Sequence, residues 1–109
     1  MAQLPPSTWQ TIEQQTAALA ASTLKGYTTQ AVQDGQTFLA STESQTAGWL
    51  AQVAAGAITQ DNFASLVRGQ ASLAAMTALK QAGLAQVAID SFVNGFISIV
   101  ISAAIASIP

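Results

Sequence analysis

Between Trp9 and Val53 the apolar residues Trp9, Ile12, Leu19, Leu24, Tyr27, Val32, Phe38, Leu39, Trp49, Leu50 and Val53 are set at helical intervals. They fall on more than one side of a helix, which is more than a single buried stripe requires. Residues 91–108, SFVNGFISIVISAAIASI, carry no charge and hold nine large apolar side chains. Proline occurs only at Pro5, Pro6 and Pro109, so nothing from 7 to 108 removes a helical N–H. An all-α chain follows.

Helix starts and stops are then sought in capping residues and glycines. Ser7, after Pro5 and Pro6, is the expected first N-cap. Gly56 is the clearest interior stop, and Thr59 can cap a new helix whose first turn carries Asp61. Gly26, Gly35 and Gly48 are weaker stops, because a glycine inside a helix costs only about 1 kcal/mol relative to alanine. Among them Asp34-Gly35 is the most credible break, with Thr42 and Gln45 able to form a capping box for a restarted helix. Two architectures compete: a long antiparallel hairpin (helix about 7–55, turn about 56–59, helix about 60–108) packed with other copies, and a compact four-helix bundle broken near Gly35 and Gly95.

The charges favour the hairpin. Facing residues of two antiparallel helices have numbers that sum to a near-constant value, and Lys25 with Asp90, Asp34 with Lys80, and Glu43 with Arg68 all do so. The two remaining acids, Glu13 and Asp61, fall in the first turns of expected helices, where the macrodipole favours negative charge. Each arm of such a hairpin would span about 70 Å. It would be a rod with no interior, leaving its surplus apolar residues to other rods.

Composition sharpens the burial problem. The chain is 50% apolar and 7% charged, with a net charge of −2 and a mean hydropathy of +0.40. Its 23 Ala, 13 Gln and 21 Ser plus Thr exceed half of the 109 residues, so solubility rests on amides and hydroxyls. So little charge implies burial by copies of the chain, by another protein or by lipid. Residues 91–108 are nearly long enough to cross a bilayer, but no basic flank or aromatic belt accompanies them. Within them Ser91, Gly95, Ser98 and Ser102 recur every three or four positions as a small-residue packing stripe. The window around Ile97–Ser102 also alternates as a strand would, a minority reading.

Chemistry is mostly excluded. Three basic residues cannot neutralise several phosphates, so no nucleic-acid partner is expected. Without His or Cys there is no His-based triad and no imidazole or thiolate metal ligand, and the five acids are scattered singly. No catalytic, cofactor or metal residues are assigned, and an enzyme is not expected. Trp9, Tyr27 and Trp49 read as core or interface anchors. The N-terminus shows no Sec-type signal peptide, which leaves the cytoplasm or another export route. Trp49 is followed by Leu50 and Ala51, so the turn motif of the secreted Trp-x-Gly hairpins is missing. The low-charge, Ala-, Gln- and Thr-rich composition resembles that of small proteins assembling into bacterial ribbons, such as R-body subunits, with no shared motif.

The expected function is therefore a structural αα-hairpin that self-assembles into a filament, tube, sheet or ring. The alternative is a membrane-active protein, a pore former, holin-like agent or tail anchor, that inserts residues 91–108 into lipid. A weaker third option is a helical adaptor buried in a hetero-complex.

Overall fold

Five helices account for the regular structure of the computed structural model, which describes residues 6–70 and 76–107. They are α1 (Pro6–Thr23), α2 (Thr28–Ala54), α3 (Gln60–Gly69), α4 (Thr77–Gln81) and α5 (Gln86–Ala106). Within the described residues α1 runs from Pro6, so Ser7 lies inside the helix and is not its cap. Its end is Gly26 at φ +88°, where Tyr27 N–H returns to Leu24 C=O. α2 ends as expected at Gly56, φ +78°, and Thr59 caps α3 with a reciprocal box shared with Asn62. A third left-handed glycine, Gly83 at φ +89°, separates α4 from α5.

These turns replace both architectures drawn from the sequence. A long hairpin would require unbroken helices over 7–55 and 60–108, whereas the chain turns at Gly26 and again between α3 and α5. The longest dimension is 43 Å, against about 70 Å for the rod. The compact alternative is closer in shape but misplaces its breaks. Gly35 and Gly48 lie inside α2, Gly95 lies inside α5, and Thr42 donates to its own helix at Phe38 C=O instead of capping a new one.

At the centre is α5, packed chiefly on α1 and also on α2, α3 and α4. Its buried face comprises Ile89, Phe92, Val93, Phe96, Ile97, Val100, Ile101, Ala103 and Ala104. Around it stand Ile12 and Ala20 of α1, Ala31, Phe38 and Leu39 of α2, Phe63 and Val67 of α3, and Leu79 of α4. Phe96 meets Phe38 edge-on at 5.7 Å and stacks on Phe92 at 6.1 Å, geometries that add to area burial. The strand reading of the Ile97–Ser102 window is overturned, since the window lies wholly inside α5.

The apolar surplus is thus buried by the chain itself. Its accessible surface is 5843 Å², close to the roughly 5,650 Å² expected of a compact monomer of this mass. Among the described residues only Leu66 and Val87 are large exposed hydrophobics. The turns at Gly26 and Gly83 fold α1 and α4 onto α5, so most large apolar side chains of the described residues are covered within the chain. Two of the buried hydroxyls are satisfied locally as well: Thr16 donates to Ile12 C=O at 2.6 Å and Thr42 to Phe38 C=O at 2.9 Å.

Candidate functional site

The three acids that sequence alone pairs with bases across a hairpin accept hydrogen bonds from other groups. Asp34 of α2 is 7% exposed, and its carboxylate takes Ala78 N–H and Leu79 N–H, both at 2.9 Å. It therefore caps the first turn of α4 from another helix, filling donors that have no partner within α4. Lys80, its expected partner, lies one residue beyond Leu79 and is exposed. Glu43 accepts from Trp9 Nε1, which ties α2 to α1. Its expected partner Arg68 is exposed in the last turn of α3, where a base suits the helix dipole. Asp90 accepts from Gln86 Nε2 one turn earlier at 2.8 Å, while Lys25 is exposed in the α1–α2 turn.

A second buried polar group was not singled out from the sequence. Gln70, 5% exposed, donates to Gln45 Oε1 at 2.7 Å, and its own Oε1 accepts from Thr46 Oγ1 at 3.3 Å. This amide relay joins the end of α3 to α2. Nothing in the local sequence marks Gln70 out from the chain's other twelve glutamines, because its role is set by where α3 ends.

The small-residue stripe is divided. Leu19 of α1 packs onto Gly95, where an added Cβ would lie 2.8 Å from Leu19 Cδ2. Ser91, Ser98 and Ser102 face outward, together with Asp90 and Asn94. They form the wet side of α5, and Ser98 donates back to Asn94 C=O. Of these four residues, only Gly95 serves close helix approach.

An open groove of about 350 Å³ lies between the start of α1 and the end of α5, lined by Ser7, Thr8, Thr11, Ala103, Ala106 and Ser107. Its lining offers hydroxyls and methyl groups but no charged or titratable side chain. Among the described residues no three His, Cys, Asp or Glu cluster in a way that could hold a metal ion.

The longest helix presents a different surface. Along the outer side of α2 run Gln33, Thr37, Ala40, Ser44, Gly48 and Ala51, followed by Ala55 at the C-cap. Their spacing of three or four residues makes one continuous strip. All are exposed except Gly48, which is half-buried, yet a Cβ placed there would meet nothing within 4 Å. The two acids of α2 lie off this strip, Asp34 buried against α4 and Glu43 bound to Trp9.

Comparison with known proteins gives no match, whether to a family model, to a curated protein or to a solved structure.

Proposed function

We propose that the protein is a non-catalytic structural subunit that associates with copies of itself into a filament, tube, sheet or ring. The observation that supports this reading is the uncharged outer strip of α2, Ala40, Ser44, Gly48, Ala51 and Ala55. Small side chains let helix backbones approach closely, and a surface without charge raises no electrostatic barrier between copies. The association invoked here runs through small and amide-bearing residues, since most of the large apolar side chains among the described residues are already used in the core. Sedimentation at micromolar concentration without detergent, with negative-stain microscopy, tests it. Wild-type protein should sediment above its 11.1 kDa monomer mass, and Ala51→Glu should return it to monomer with an unchanged melt. A wild type that stays monomeric overturns the reading.

A second reading, insertion of residues 91–108 into a bilayer, draws on α5. This helix has 21 residues and a mean hydropathy of 1.8 over its most apolar stretch, half of it buried inside the protein. At about 32 Å it matches the ~30 Å hydrocarbon core. Leakage of anionic vesicles by wild-type protein would favour this reading. Intact vesicles at concentrations where the protein self-associates would favour the first.

A further inference from the structure

We infer that α4 is a strap fastened to the bundle by Asp34, and that it opens as a local unit while the remaining helices stay folded. A helix of five residues cannot hold itself together in water, so its structure depends on what grips it from outside. The grip consists of the two hydrogen bonds from Ala78 and Leu79 to the Asp34 carboxylate, and of the buried side chains of Met76 and Leu79. Both flanks of the strap are built to give way. Met76 sits in the left-handed region at φ 48°, ψ 50°, a conformation that a side chain bears at a cost and that opening relieves. Gly83, at φ +89°, has no atom within 4 Å of the place a Cβ would occupy, so the chain can swing at this residue with no side chain of its own to dislodge, although Leu84 next to it packs on the core. By contrast α5 buries nine side chains on four neighbours and has no comparable weak point.

Opening the strap uncovers the parts of α2 and α5 beneath it. This holds whichever of the two functional readings stands, because it concerns the order in which the chain opens. Native-state hydrogen exchange on the full-length protein is the test. The amides of Lys80, Ala82 and Leu84, bonded to Met76, Ala78 and Leu79 C=O, should exchange about tenfold or more faster than those in the middle of α5, with a shallower dependence on denaturant. Asp34→Asn should speed the three strap amides by roughly tenfold or more, the loss of a charge-assisted bond. Ile12→Val, in the α1 core, should speed exchange in α5 by about two- to tenfold and leave the strap amides unchanged. Equal denaturant slopes in α4 and α5, or strap amides that respond to Ile12→Val as α5 does, would show that α4 opens only with the whole molecule. Strap amides unmoved by Asp34→Asn would remove Asp34 as the fastener. Should that variant fail to fold, the wild-type slopes and Ile12→Val still decide whether α4 opens alone.

Discussion

Phe96 of α5 lies so close to Gly35 of α2 that a Cβ on Gly35 would stand 3.0 Å from the ring's Cε1. The ring is fully buried and is flanked by Phe38 and Phe92. Gly35→Ala therefore meets overpacking of about 1 to 3 kcal/mol, offset by about 1 kcal/mol of helix propensity. A net loss of about 1 kcal/mol is expected in urea denaturation. Gly48→Ala, on the same helix with open space around it, should raise stability by about 0.5 to 1 kcal/mol. Gly95→Ala should fall between them, because the atom it meets is the branched end of a half-buried Leu19 that can rotate.

Asp34 and Lys80 separate backbone capping from ion pairing. With the carboxylate bound to two N–H groups, Asp34→Asn loses one acceptor and sets an amide donor against a backbone donor. The expected loss is about 1 to 3 kcal/mol. Lys80→Ala, at an exposed position, should change stability by less than about 0.5 kcal/mol. The coupling between the two in a double-mutant cycle should be close to zero. A coupling of about 1 kcal/mol or more would restore the ion pair.

Gly83→Ala should destabilise although nothing obstructs the added methyl group. The left-handed φ of +89° costs an L-residue about 1 to 2 kcal/mol. A melting temperature lower by about 4 °C or more is expected for a chain of this size. An unchanged melt would mean that the α4–α5 turn is not held in this conformation.

The helical class and one turn were legible in the sequence. Confined prolines left no obstacle to helix, and Gly56 with Thr59 carries its stop and start within four residues. Gly26, Gly35 and Gly95 look alike in a sequence, because a glycine that turns the chain and one that admits a neighbour differ only in what stands beside them. Gly26 turns, Gly35 admits Phe96, and Gly95 admits Leu19. Residues 91–108 were recognisable as buried, but what covers their described part depends on where the chain folds back. The candidate polar residues were partly legible for a related reason. Asp34 was aimed at the right stretch, yet charges in a sequence suggest other charges as partners, while the free N–H groups of a helix start are invisible there.

α5 is a core helix with one buried and one wet side, and two adjacent positions on it separate the two. Ile97 is 1% exposed and Ser98 is exposed, within the same uncharged run. Urea denaturation followed by circular dichroism should show Ile97→Lys unfolded or destabilised by several kcal/mol, since it buries an unpaired charge. Ser98→Lys should keep a cooperative transition within about 0.5 kcal/mol of wild type. Equal damage at both positions, as expected if the whole segment met lipid or the interior of an assembly, would show that α5 has no wet side.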